Sequence, residues 1–167
     1  MAVNGKNKGN TFERKVAKLL SERFAEHLGI ESGFRRNPDS GSYFGGSNVQ
    51  RSQTHSLDYA IFGDLICPRN FVYSVECKHY KTAPSLQSIL SQEVKQWDDW
   101  LEQAQQDSDT SGKKMVLIIK YNNVSEFVFL TEPIQGTISI INYKQYFAYK
   151  LGTFLDLPTE SFFTVVT

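Results

Sequence analysis

The sequence has only two cysteines and three histidines, and no apolar run near the roughly 20 residues of a membrane-spanning helix. Two cysteines make no disulfide framework, and three scattered histidines make no zinc cluster. Cys67 and Cys77 each sit in an apolar, strand-like run, so both read as small buried hydrophobes of a reducing, cytoplasmic compartment. The start, MAVNGKNKGN, has no apolar core of a signal peptide. An excess of either charge is also missing: 18 Lys/Arg balance 18 Asp/Glu. That excludes a strongly basic polyanion binder and implies modest, salt-sensitive affinity for any nucleic acid. Five prolines and eleven glycines against 13% aromatics exclude a low-complexity chain. What remains is 167 residues, 40% of them hydrophobic, which suits one domain over 1–167 with its own core.

The neutral sum hides an asymmetry. Residues 1–60 carry nine Lys/Arg against six acids, and residues 61–167 carry nine against twelve. A polyanion would be met mainly by the N-terminal third. Residues 1–10 read as a flexible basic lead-in. The spacing of Phe12, Val16, Leu19, Leu20, Phe24 and Leu28 predicts a helix over 11–28, with Asn10 placed to cap it and Gly29 to stop it. A short strand is expected around 33–36, then a long polar loop over 37–57, of a length that is usually functional or disordered. Strands at 64–67 and 71–79 are joined by Pro68-Arg69-Asn70, which reads as a hairpin turn. A second helix over 85–106 places Leu86, Ile89, Leu90, Val94, Trp97, Leu101 and Ala104 on one face, and the polar stretch 107–112 breaks it. MVLIIKY (115–121) is the continuous apolar run of a buried central strand. Further strands are expected at 126–130 and 137–141, and a short helix near 143–150. The fold class is α/β, one mixed sheet flanked by helices in the order α-β-β-β-α-β. Residues 133–167 extend the core or form a dimer face, since the last 47 residues hold ten of the 22 aromatics.

The chemistry concentrates near residue 76. Alternate side chains of a strand share a face, so Phe71, Tyr73, Val75 and Cys77 line an apolar side, and Glu76 and Lys78 share the other. An acid and an amine on a buried strand are costly without a purpose. Glu-x-Lys occurs three times, at 13, 76 and 93, but the other two copies lie in helices, where positions two apart diverge. Asp64 opens the neighbouring strand and can converge on Glu76. Glu13 falls within the first helix's apolar stripe, between Leu20 and Phe24, so it is either a third acid aimed at the sheet or the far end of an Asn10-x-x-Glu13 capping box.

Taken together, a glutamate in the first helix, Gly63-Asp64, then Val75-Glu76-Cys77-Lys78 resembles the PD-(D/E)XK nuclease superfamily. The closer likeness is to its Holliday-junction-resolvase-like and small phage-type nuclease branch. Pro38-Asp39-Ser40-Gly41-Ser42 resembles the Ser-Gly loop of such resolvases, and Trp100-Leu101-Glu102-Gln103-Ala104 their Trp-x-x-Gln-Ala helix ending. The likeness covers roughly residues 8–130. Phe62-Gly63 stands where the superfamily's motif has its proline, and Asp58 is an alternative ligand to Asp64.

The resemblance implies a restriction-endonuclease-like core and Mg²⁺-dependent hydrolysis of DNA phosphodiester bonds, with Mn²⁺ as a substitute. It also implies branched, junction-like DNA as substrate and a homodimer, with no membrane association. Asp64, Glu76, Glu13 and the Cys77 carbonyl are the implied metal ligands, and Lys78 stabilises developing charge. Lys8, Arg35, Arg36, Arg51 and Lys81 are candidate phosphate contacts. Ser40 and Gly41 would let the loop approach DNA closely, and Gln103 would hydrogen-bond near the site. The rival readings are a nuclease on linear duplex or single-stranded ends, and a catalytically silent DNA-binding protein on the same fold.

Overall fold

The computed structural model describes residues 5–38 and 59–164, with side chains described from residue 7 and, in the second segment, from residue 63. Ser40, Gly41, Arg51, Asp58 and nearly all of the expected 37–57 loop lie outside the described residues.

Helix α1 spans Gly5–Leu28. The expected flexible lead-in is therefore helical from Gly5, and Asn10 is an interior residue rather than a cap. Phe12, Val16, Leu20 and Phe24 are all buried, as the stripe predicted, and each such side chain contributes about 1.5–3 kcal/mol of burial. Strand β1 (Arg35–Arg36), β2 (Tyr59–Phe62) and β3 (Leu65–Pro68) form a small antiparallel sheet in the order β1-β3-β2. The hairpin is β2–β3: Phe62 pairs with Leu65 across a two-residue turn, Gly63-Asp64. Gly63 takes φ +66°, which glycine adopts freely and which suits such a turn. The expected hairpin through Pro68-Arg69-Asn70 does not form; that turn passes the chain to a second sheet. Strand β2 was hidden from sequence reading by its shortness and its polar flank.

The main sheet is five-stranded, β4 (Tyr73–Tyr80), β5 (Lys114–Tyr121), β6 (Phe127–Leu130), β7 (Ile141–Tyr143) and β8 (Tyr146–Lys150), in the order β4-β5-β6-β8-β7. Only β4 and β5 run parallel; the other pairs are antiparallel. The helix expected near 143–150 is instead the β7–β8 hairpin, with Lys144 at φ 51° in its turn, and the strand expected at 137–141 only begins at Ile141.

The single helix expected over 85–106 is two, α2 (Leu86–Leu90) and α3 (Lys95–Ser111), separated by Gln92 at φ 58°. Ser85 caps α2 by accepting from Ser88 N–H. The break turns Leu86 and Leu90 out to solvent, 71% and 73% exposed, so neither joins the core. Helix α3 runs through the stretch expected to break it and ends at Gly112, left-handed, whose N–H bonds Ser108.

Helix α1 and the short α4 (Leu151–Leu155) cover one sheet face around Phe24, Phe71 and Phe162. Helix α3 covers the other around Trp97, Phe129 and Tyr143. Tyr143, Tyr146 and Tyr149 are buried within this chain, so these C-terminal aromatics help complete its core. Both cysteines are buried free thiols. Among the described residues, no helix is long and apolar enough to cross a membrane. The fold is α/β, a mixed sheet between helices, consistent with a restriction-endonuclease-like core.

Candidate active site

Strand β4 is an edge strand of the main sheet, so its outer backbone groups need partners. The Gly63-Asp64 turn supplies them. Asp64 N–H donates to the Val75 carbonyl at 2.9 Å, and the Cys77 N–H donates to Asp64 Oδ2 at 2.8 Å. The approach is too close for any side chain at 63: a Cβ there would collide with the Val75 carbonyl. That contact accounts for glycine at the position where the superfamily's motif carries proline. Asn37, buried at the end of β1, holds the turn from behind. Its N–H donates to the Asp64 carbonyl at 2.8 Å and its Nδ2 to the Gly63 carbonyl at 3.1 Å. Sequence reading passed over Asn37 because a lone asparagine at a loop margin carries no signal until its partners are in place.

On β4 the faces divide as the alternation predicted. Tyr73, Val75 and Cys77 enter the α1-side core, and Glu76 and Lys78 face α3. Glu76 Oε1 accepts from Lys78 Nζ at 2.6 Å and from Gln103 Nε2 at 2.7 Å, and Lys78 Nζ also donates to Gln103 Oε1 at 3.0 Å. Gln103, exposed on α3, thus closes a three-membered ring with Glu76 and Lys78. One helical turn on, at i+4, Asp107 lies on the same face of α3. It was missed because it sits in the stretch read as a helix break.

Burial and shared charge set the electrostatics. Burial, then the neighbouring Asp64 carboxylate, push Glu76 up to about 8. Burial pushes Asp64 up to about 6 against the Cys77 N–H and the Lys78 ammonium, which pull it down. Burial also raises Asp107, and Lys78 opposes it. Burial alone would lower Lys78, but Glu76 beside it wins and the ammonium titrates above its ordinary value. Among the described residues, Lys78 is thus the ammonium on which Asp64, Glu76 and Asp107 all draw, and crowding of the carboxylates favours protonation of Glu76.

Glu13 is buried and aimed inward, which settles the two readings of it, since no helix start exists there for a capping box. Its Oε2 accepts from Arg36 Nε at 2.6 Å, and Arg36 Nη2 donates to Asn10 Oδ1 at 2.9 Å. Its charge is still felt at Asp64, but the structure does not pool it with Asp64 and Glu76. Arg36, partly buried, is thus the ion-pair partner of Glu13. Arg35 is exposed on β1, Lys8 is half-buried on α1, and Lys81 is exposed just beyond β4. His79 pairs with Asn122 Oδ1 at 3.2 Å, apart from the carboxylates.

Among the described residues, no group of three or more His, Cys, Asp or Glu side chains is gathered closely enough to hold a metal by side chains alone. The donor set nonetheless suits a hard cation. Asp64 and Glu76 are oxygen donors short of positive charge, and Mg²⁺ keeps several waters of its own. The N–H and C=O of one strand residue point to the same side, so the Cys77 carbonyl faces the edge where Asp64 sits.

Neither the comparison with curated proteins nor that with solved structures returns a match. A family model described as phage putative PDDEXK endonuclease matches residues 4–165, nearly the whole chain, so this chain belongs to that family and thereby to the PD-(D/E)XK nuclease superfamily.

Proposed function

We propose that this chain is a Mg²⁺-dependent endodeoxyribonuclease that hydrolyses phosphodiester bonds in branched, junction-like DNA, with Mn²⁺ able to replace Mg²⁺. Membership makes the chain a nuclease, and nucleases of this superfamily generally use divalent metals. The observation that carries the finer reading is the gathering of Asp64, Glu76 and Asp107 around the Lys78 ammonium at the edge of β4, with Asp64 and Glu76 buried.

Asp64, Glu76 and the Cys77 carbonyl would hold the ion. When bound, a divalent cation supplies charge neutralisation at the phosphate and a lowered pKa for an attacking water. The chain's own residues do the rest. Glu76, whose carboxyl pKa is raised by burial and by the Asp64 charge, would give up its proton to serve as an oxygen donor to the ion. Lys78 holds its ammonium at the rim of the pocket, where it stabilises negative charge developing on the phosphate oxygens. Gln103 keeps Glu76 and Lys78 in one geometry through its amide. Junction-like DNA is favoured by the Gly-Asp and Val-Glu-Cys-Lys elements shared with the resolvase-like branch, and cutting both strands of a junction would take two copies of the chain. Two buried thiols suit a reducing cytoplasm.

The test is a purified protein offered a four-way junction and a matched linear duplex, with and without Mg²⁺, and Asp64→Asn as the blank. Faster cutting of the junction is expected. Equal cutting of both forms overturns junction preference, and no metal-dependent cutting of either overturns the nuclease mechanism.

A further inference from the structure

A groove of about 680 Å³ runs between α1 and β1, and Arg14, Lys18, Arg35, Arg36, Glu22 and Glu31 line it. Its charges are sorted along its length. The segment Glu31–Arg36 runs antiparallel to α1. Ser21 on the helix exchanges hydrogen bonds with Phe34, accepting from its N–H at 3.0 Å and donating to its carbonyl at 3.3 Å, and Arg36 reaches back to Glu13 and Asn10. Arg14, Lys18, Arg35 and Arg36 therefore cluster at the end nearer Glu13, while Glu22 and Glu31 occupy the far end.

The basic end adjoins the catalytic turn, because Asn37, next to Arg36 in sequence, bonds both carbonyls of Gly63-Asp64. Ala17, Ser21 and Ala25, four apart on α1, line the groove with short side chains. Arg14 and Lys18 stand one turn apart, about 6 Å along the axis, and both are exposed. Lys18 makes a 3.6 Å pair with Glu22 in which both side chains are more than half exposed; such pairs are worth little, so Lys18 can leave it for a phosphate at small cost.

We infer that this groove is the track for the phosphate backbone of the substrate DNA, with Arg14 and Lys18 as its phosphate contacts and Arg36 as the internal strut that ties the track to Glu13. The inference rests on the nuclease reading above, and it places the strand's approach on the α1 side. Glu22 and Glu31 repel the backbone at the far end, so the track has a direction: a strand is held at the end nearer Glu13.

The experiment compares Arg14→Glu/Lys18→Glu, the milder Arg14→Ala/Lys18→Ala, and a charge-matched control, Lys95→Glu/Lys114→Glu, which sits in surface pairs elsewhere on the protein. Binding to a labelled four-way junction and to linear duplex is measured over a salt series, and cleavage kinetics in parallel. The groove variants are expected to bind about tenfold or more weakly, with the slope of log affinity against log salt reduced by about 2, the value for two lost phosphate contacts. KM rises and kcat at saturation stays within about twofold, the signature of lost uniform binding. A slope and KM unchanged in both groove variants, or matched by the control, overturn the track while leaving the nuclease reading intact. A wild-type protein that neither binds nor cuts any DNA overturns both, and so separates the two failures.

Discussion

Two acid–base pairs in this protein share one bond length and behave differently. Glu13–Arg36 and Glu76–Lys78 are both 2.6 Å apart, with carboxylates nearly buried and cations partly so. Arg36 is a fixed fork that donates from one nitrogen to Glu13 and from another to Asn10, a neutral acceptor. Lys78 is a point charge that faces Glu76 while Asp64 and Asp107 also draw on it. The first pair is a strut between α1 and β1, and the second sits, among the described residues, in a pocket where carboxylates outnumber ammonium groups. Distance alone does not distinguish them; their surroundings do.

The comparison breaks if the pairs respond alike to mutation. Lys78→Ala should lower kcat by about 10²–10³-fold, as for loss of a group that stabilises developing charge, with DNA affinity nearly unchanged; normal turnover would remove Lys78 from the mechanism. Glu13→Ala should act on folding instead. Removing one partner of a largely buried pair costs about 2 kcal/mol, below the fully buried range because both groups keep some solvent. Chemical denaturation would show it, and an unchanged midpoint would mean that the strut holds nothing. Gln103→Ala should lower kcat about tenfold and leave KM alone, since it loosens Glu76 and Lys78 without touching substrate. A shift confined to KM would return Gln103 to the DNA-contacting role.

A smaller effect follows from pH. Glu76 titrates near 4.5 when unfolded and at about 8 in the folded, metal-free protein. Between those values the folded state holds the proton that the unfolded state has released, so stability must fall as pH rises from about 4.5 to about 8, by at most about 1.4 kcal/mol per pH unit. Below that window both states are protonated and the contribution is flat. Glu76→Gln should flatten the decline, whereas the corresponding Glu13→Gln should leave it in place. A wild-type protein whose denaturation midpoint rises over this window would contradict the crowding of carboxylates around Lys78.

Much of the site could be read from residue order, because a strand's alternation needs no tertiary information. Glu76 and Lys78 on one face, Val75 and Cys77 on the other, and Glu13 inside the stripe of α1 all follow from local periodicity. What was misread depends on the chain's turns. The backbone at Gly63 moved the hairpin one segment earlier, and Gln92 split a helix whose spacing looked continuous. Leu86 and Leu90 fit the apolar pattern yet face solvent, since periodicity reports a face and not whether anything covers it. Residues 143–150 alternate aromatics with polar groups closely enough to suit either period, and pairing with β6 decided for strand.

The order of residues alone determined the class of fold, the burial of both thiols and the shared face of Glu76 and Lys78, because each is a property of local spacing and side-chain chemistry. Only tertiary structure decided who partners whom. It gave Arg36 to Glu13, brought Gln103 and Asp107 from α3 to the edge of β4, and set Asn37 behind the Gly63-Asp64 turn. Those choices come from how helices and sheet edges satisfy buried polar groups across long sequence separations, and no local pattern encodes them.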